Sequence, residues 1–464
     1  MHRVEQLLIT FGDVAWGPWL VILILGSGLY FVFLSRMLPF RYLPHSIQLL
    51  RGKYDSDAAP GDISHFQALS SALAGTIGMG NIAGVAVAIG VGGPGAMFWM
   101  WATAVVGIAT KFFTCSLAVM YRGQDTAGHI QGGPMYVIVE GLGPKWRPLA
   151  VFFCVAGVIG CLPLFQTNQL VQTLREVVFL RQGWITEDQS FAFNVVAGVI
   201  LAGISGIVIF GGLPRIASVA SKLVPTMAVL YVGTAIVILA MNLEEVPRCF
   251  GLIFSDAFSG MAVAGGALGT VIATGVRRGV FSNEAGIGTE AMAHGAARTR
   301  EPVREGLVAM MGPVIDTLVI CTATALIILI SGVWQNPDAD GVTMTAEAFD
   351  ATIPSVGIYI LVTCIVFFSV STIFSYSYYG SKCLGFLIGA ERQHLYNYVI
   401  VVMMVVASVL SLDAMVGLID GAFAMMAIPT TTSAVLLAPR VMAAARNYFT
   451  RLDAGELAPD PGAN

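Results

Sequence analysis

Long apolar stretches separated by short polar ones dominate the chain, and almost nowhere do apolar and polar residues alternate one by one. Eleven stretches approach the ~20 residues that a helix needs to cross a bilayer: 14–37, 66–91, 95–121, 148–178, 191–212, 215–241, 260–281, 304–332, 355–380, 395–412 and 413–440. Their length and lack of alternation exclude a membrane β-barrel, whose strands alternate over about ten residues. The first stretch is too long for the apolar part of a secretory signal, and no small-residue cleavage site follows it. It is read as a span. The pattern predicts an all-α integral membrane protein with eleven transmembrane helices.

Basic residues orient the spans, because Lys and Arg favour cytoplasmic connections. With the N-terminus outside, 20 of the 24 fall inside, Lys111, Arg277 and Arg278 among them, and only Arg3, Arg175, Arg181 and Arg248 fall outside. The connection 332–354 carries Asp338, Asp340, Glu347 and Asp350 and no base, as an outer loop should. An odd number of spans then puts the C-terminus in the cytoplasm.

Two spans are interrupted. The first contains Ala74-Gly75-Thr76-Ile77-Gly78-Met79-Gly80-Asn81, and the second contains Gly265-Gly266-Ala267-Leu268-Gly269-Thr270 and then Ala273-Thr274-Gly275. Glycine is a poor helix former, and backbone groups freed inside a membrane need partners in a cavity. The two lie 194 residues apart, Gly75-Thr76 against Gly269-Thr270, and each opens a set of five spans, 66–241 and 260–440. Interrupted helices at matching places of two halves point to a secondary transporter built from inverted repeats, with its site near the midplane. Residues 1–65 would then be an extra N-terminal helix and cytoplasmic loop, 66–440 the transporter core and 441–464 a cytoplasmic tail. Gly78-x-Gly80-x-x-Ala83 imitates a dinucleotide fingerprint, but no strand precedes it.

Composition agrees: 56% of residues are hydrophobic and 11% charged, whereas soluble domains are about 25% charged. A net charge of −4 leaves no basic face for nucleic acid. The 7 Cys form no CxxC pair and read as small buried hydrophobes, and the 6 His are scattered. No cofactor is expected, and no constellation suits an enzyme. A channel ranks lower than a carrier, because nothing repeats as a filter or charged ring would.

Core acids are few: Asp316, Asp413 and Asp420. Asp316 is read as a packing carboxylate bonded to hydroxyls such as that of Thr317. Glu284 is read as half of an ion pair with the Arg277/Arg278 cluster at the inner boundary. Asp338-Ala339-Asp340-Gly341 is read as a solvated turn. Hydroxyls are plentiful, namely Thr76, Thr270, Thr274, Ser369, Ser371, Thr372 and Ser375. Half-helix N-termini attract a carboxylate, while freed carbonyls attract a cation. A zwitterionic amino acid travelling with Na⁺ suits that supply better than a sugar or an anion. Coupling to H⁺ through Asp316 or Glu284 is the alternative.

The runs Phe66-Gln67-Ala68-Leu69, Gly78-Met79-Gly80-Asn81-Ile82-Ala83-Gly84, Gly92-Gly93-Pro94-Gly95-Ala96-Met97-Phe98-Trp99, Gly132-Gly133-Pro134-Met135-Tyr136, Arg278-Gly279-Val280-Phe281-Ser282-Asn283-Glu284-Ala285-Gly286 and Gly312-Pro313-Val314-Ile315-Asp316-Thr317 closely resemble the alanine or glycine:cation symporter family, from about Trp16 to Arg440. The resemblance implies a LeuT-like core of two five-helix inverted repeats after one extra N-terminal helix. It implies Na⁺-driven uptake of a small neutral amino acid by a monomer in the inner membrane. It places substrate at Gly75, Thr76, Gly78, Gly80, Asn81, Gln166, Gly275 and Tyr376, and sodium at the Ala74 and Ile77 carbonyls with the Ser371 and Thr372 hydroxyls. Many members carry Trp where this chain has Tyr376, an acid where it has Ser381 or Thr114, and Thr where it has Met79. The tyrosine predicts a looser pocket, open to serine as well as alanine.

Overall fold

The computed structural model describes residues 2–54, 59–258, 267–336, 339 and 341–457. Gly265, Gly266, Asp338, Asp340 and the side chain of Asp413, all singled out above, lie outside what is described. Among the described residues, eight helical stretches are long and apolar enough to cross a bilayer: Glu5–Ser35, Ala96–Met120, Pro144–Leu180, Glu187–Ile209, Gly212–Met241, Pro302–Ser331, Gly357–Ile388 and Ala414–Asp453. A ninth is made of two pieces, His65–Thr76 and Gly80–Gly92, meeting at 54°.

The other two predicted spans hold shorter helices, Ala267–Asn283 of 17 residues and Leu395–Ala407 of 13. The latter rises only about 20 Å, less than the about 30 Å of hydrocarbon. Among the described residues, then, eight or nine helical stretches pass as spans of full length.

Burial sorts the helices. The most apolar window of Ala96–Met120 is 89% buried, whereas that of Glu187–Ile209 is 28% buried. The first is an interior element. The second turns Val196, Val199, Ile200 and Ile207 outward, the expected face toward lipid.

Helices reach close to both ends of the described residues. A helix His2–Ala15 forms before Pro18 and packs on the last helix, where a Cβ on Gly12 would lie 2.9 Å from the Gly417 Cα. That last helix runs from Leu412 to Asp453, so residues 441–453, expected as tail, continue it. Its final turns hold the connection after the first span: Tyr42 donates to Asp453 Oδ2 at 2.9 Å, and His45 Nε2 meets the Tyr448 hydroxyl at 2.8 Å.

Three basic residues assigned above to inner connections lie elsewhere. Arg277 pairs with Asp13 at 3.1 Å and Asp420 at 2.8 Å, and Arg278 lies 3.6 Å from Asp420. Asp13 is at the end of the first span opposite the connection that holds His45, so this cluster sits at the N-terminal mouth. Lys111 is 1% exposed, inside the helix Ala96–Met120. Helix registers, invisible in a loop count, moved all three.

Candidate functional site

The first break follows from one side chain. Ser64 starts the first half-helix with a capping box: its hydroxyl accepts from Gln67 N–H at 3.2 Å while Gln67 Oε1 accepts from Ser64 N–H at 3.0 Å. The helix closes as Ile77 N–H reaches the Leu73 carbonyl, and ψ of 90° at Ile77 turns the chain aside. Gly78 N–H then donates to Asn81 Oδ1 at 2.9 Å, leaving the Ala74 carbonyl without its helical donor. The chain restarts as a π-helix, Gly80–Gly84, a form concentrated at functional sites.

Within the described residues, the second break does not fall at Gly269 or Gly275. From Ala267 the helix is continuous to Asn283, through Gly275. A Cβ on Gly275 would lie 2.5 Å from the Ala96 carbonyl oxygen and 2.6 Å from Trp99 Cβ, so this glycine serves close helix packing. The interruption falls at Glu284, Gly286 and Gly288, with φ of 54°, 88° and 99°, before a short helix Thr289–His294. A non-glycine residue at positive φ gives no sequence warning.

The two breaks face each other. A Cβ on Gly80 would be 3.3 Å from the Phe281 ring and 3.5 Å from Ser282 Cα. Asn81 Nδ2 donates to Asp316 Oδ1 at 2.5 Å and to Ser282 Oγ at 3.2 Å. Ser282 and Thr317 hydroxyls both donate to Asp316 Oδ2, at 2.8 and 2.7 Å. Asp316 thus bonds Thr317 as expected, yet it also ties the two broken helices together. It lies in a π-helical stretch, Val314–Cys321. Asn81, Ser282 and Asp316 are fully buried.

Glu284 does not pair with Arg277 or Arg278. Its Oε1 accepts from the Tyr376 hydroxyl at 2.5 Å and its Oε2 from the Thr289 hydroxyl, while both arginines serve Asp420. The left-handed backbone turns the carboxylate inward, away from the arginines one to two turns earlier.

Of the expected sodium ligands, Thr372 reaches the break: its Oγ1 would stand 2.6 Å from a Cβ on Gly78 and donates to the Phe368 carbonyl at 2.9 Å. The Ser371 hydroxyl bonds the same carbonyl at 3.0 Å and leans toward Met227 Sδ at 3.7 Å. The half-helix is pinned alongside by Ser375, which donates to the Ser71 carbonyl at 2.8 Å, and Gly75 lies against the Tyr379 ring. Among the described residues, the buried hydroxyls of Thr76, Ser71 and Ser369 meet no hydrogen-bond partner, an arrangement that costs free energy unless a ligand supplies one. Gln166 is buried in the helix Leu164–Thr173, beside Phe165, whose ring meets Phe281.

A polar cluster passed over as scattered histidines closes the other end. Buried Glu305 accepts from His65 Nδ1 and from His294 Nδ1, joining the start of the first broken helix to the end of the short helix after the second break. Arg122 clamps the adjoining loops through the carbonyls of Pro60, Gly295, Ala297 and Thr299. Burial holds the Arg122 guanidinium below its ordinary pKa, opposed by the nearby charges of Glu305 and Asp62. No local pattern could have joined residues 65, 294 and 305.

The chain is similar to proteins already known. A family model described as the sodium:alanine symporter family matches residues 1–460. The chain is 38% identical over 449 residues to the sodium/alanine symporter AgcS of Methanococcus maripaludis, covering 96% of this chain and 97% of that one. It is 38% identical over 463 residues to an uncharacterized transporter of Haemophilus influenzae, covering 97% of each. A probable sodium/glutamine symporter, GlnT of Bacillus subtilis, is 34% identical over 98% of this chain and 92% of its own. The crystal structure of MhsT in complex with L-phenylalanine superposes with a TM-score of 0.55 at 13% identity, over 83% of this chain and 98% of that one. At that identity the likeness shows a shared LeuT-type fold.

Proposed function

The chain belongs to the sodium:alanine symporter family, a family of transporters and not of enzymes, and from that premise we propose that it carries a small neutral amino acid such as alanine or glycine inward with Na⁺ by alternating access. The observation that carries this reading is the meeting of the two breaks, where a carbonyl freed at Ala74, the Thr372 hydroxyl and the Asn81 amide come together in one buried place. Na⁺ is held by the Ala74 and Ile77 carbonyls with the hydroxyls of Thr372 and, after a side-chain rotation away from Met227, Ser371. Oxygen donors without a fixed negative charge suit a monovalent hard cation.

The substrate carboxylate takes the N–H group of Gly80 and, once Asn81 Oδ1 releases it, that of Gly78, at the N-terminal end of the restarted helix, where the backbone dipole favours an anion. The unpartnered hydroxyl of Thr76 is within one turn of that place. Gly75, Gln166 and Tyr376 complete the pocket, whereas Gly275 supports it from behind. The protein works as a monomer in the cytoplasmic (inner) membrane, N-terminus outside, with the His65–Glu305–His294 cluster on the cytoplasmic side.

Labelled alanine uptake into proteoliposomes tests this. Accumulation against a gradient with inward Na⁺, and none with an inward H⁺ gradient alone, is the expected result. Accumulation with H⁺ alone would move coupling to the buried carboxylates Asp316 or Glu284. No uptake with either ion would overturn the substrate.

A further inference from the structure

Beside the meeting point of the breaks, four aromatic rings from four helices stand in an apolar row, each near the next. Phe165 meets Phe281 at 5.4 Å between ring centroids, Phe281 meets Phe423 at 5.9 Å, and Phe423 meets Tyr376 at 6.3 Å. Phe281 rests directly on Gly80, so a small side chain on a substrate held at Gly78 and Gly80 would project among these rings. All four are buried. Three of them are phenylalanines without a hydrogen bond, Phe281 lying under the Arg278 guanidinium at 5.7 Å. The fourth, Tyr376, has a polar anchor: its hydroxyl donates to Glu284 Oε1 at 2.5 Å.

Glu284 is in turn fixed twice. Its backbone sits in the left-handed region at φ 54°, and its other oxygen accepts from Thr289, the first residue of the short helix after the break. One carboxylate therefore links a ring on Gly357–Ile388 to the segment that follows the second break. An aromatic ring without such a link can turn about χ1 and χ2 between rotamers, and the space that it bounds grows when it does. A ring tied by a short hydrogen bond such as this one of 2.5 Å keeps its place.

On the symport reading above, on which this rests, we infer that Glu284 is a positioning residue for substrate size. It holds the Tyr376 ring as the end wall of this aromatic row, so that only side chains of about methyl to hydroxymethyl size are accepted. Glu284 does not touch the substrate; it acts through Tyr376.

The test is uptake by the full chain in proteoliposomes, with KM and kcat measured for alanine, serine and valine. Wild type is expected to prefer alanine over valine strongly in kcat/KM. Tyr376→Phe, which keeps the ring and deletes the anchor, is expected to narrow that preference about tenfold, mainly through a lower KM for valine. Glu284→Ala should narrow it equally, and the double variant should match either single one, because both remove the same bond. Glu284→Gln, whose amide oxygen still accepts from Tyr376 while its nitrogen donates to Thr289, should restore the preference. Should Glu284→Ala fail to fold, Thr289→Val loosens the carboxylate from its other side and is expected to narrow the preference in the same direction.

An unchanged alanine-to-valine ratio in Tyr376→Phe, or additive effects in the double variant, would overturn the inference. So would Glu284→Gln behaving as Glu284→Ala, since charge rather than position would then matter. Each of these leaves wild-type uptake intact; if wild type itself carries no neutral amino acid, the symport reading falls as well.

Discussion

At the scale of single residues, Asn81 sets the geometry. Its oxygen caps Gly78 N–H and its nitrogen holds Asp316, so one amide both ends the first half-helix and fastens it to the second. Asn81→Ala strips a buried donor and a buried acceptor of their partners, each worth about 1–3 kcal/mol. A lower thermal midpoint and loss of uptake are expected together, and Asn81→Asp, facing Asp316 with a second carboxylate, should be worse. Gly78→Ala forces a methyl to 2.6 Å from Thr372 Oγ1. If Thr372 is a sodium ligand, the Na⁺ half-saturation concentration should rise about tenfold, about 1.4 kcal/mol, and Gly78→Ala/Thr372→Ser should recover part of it. An unchanged Na⁺ dependence would remove Thr372 from the sodium site. His45 offers a pH test away from transport. Burial and the nearby Arg304 charge hold its imidazole below the ordinary value of 6.5. The folded state then binds fewer protons than the unfolded one, so its contribution is full above about pH 6.5 and is lost as pH falls. Thermal unfolding followed between pH 5 and 8 should show that acid limb, and His45→Gln should flatten it.

At the scale of elements, glycine-rich spans announce that something unusual happens in a helix but not what. The run from Gly75 to Asn81 marks a true break because an amide lies three residues beyond Gly78, within reach of its N–H. In Ala267–Asn283, Gly275 and Gly279 are where the helix Ala96–Met120 approaches, and the break waits for Glu284. The mouth of this second helix has its own fastening. Arg277 joins Asp420, which is fully buried, to Asp13 of the N-terminal helix, and the Trp16 indole donates to the Asp420 carbonyl at 2.8 Å. Arg277→Ala leaves the Asp420 carboxylate with only Arg278 at 3.6 Å, and breaking a buried pair of this kind costs about 3 kcal/mol. Asp13 is largely exposed, so Asp13→Asn should cost less than about 1 kcal/mol. Thermal melts of both variants in detergent check the contrast, and equal losses would place the pair outside the buried network.

At the scale of the whole molecule, the breaks occupy the interior, between the cluster of Arg277 and Asp420 at one end and that of His65, Glu305 and His294 at the other. A path through the membrane must open one and then the other. The driving force is sufficient with a single ion: Na⁺ moving down ~100 mV supplies about 2.3 kcal/mol, and a roughly tenfold gradient adds about 1.4. Together they support concentration of substrate by about 500-fold. Collapsing the membrane potential while keeping the Na⁺ gradient should therefore lower the steady-state accumulation in proteoliposomes by about fiftyfold. A ratio that ignores the potential would argue against net inward charge.

The sequence alone determined the class of the molecule, the places of nine long spans, the first break and the kind of ligand that its freed carbonyls and hydroxyls suit. These follow from local rules, since span length, helix propensity and backbone satisfaction in lipid are each read over one turn to one span. Only the tertiary structure decided the rest: the second break at Glu284, the burial of Lys111, the pairing of Arg277 with Asp420, and the bonds from Asn81 to Asp316 and from Tyr376 to Glu284. Each of these joins positions from 92 to 235 residues apart or depends on how one helix is turned about its axis. A single residue of rotation changes which side chains meet by about 100°, and no short window of sequence records that angle.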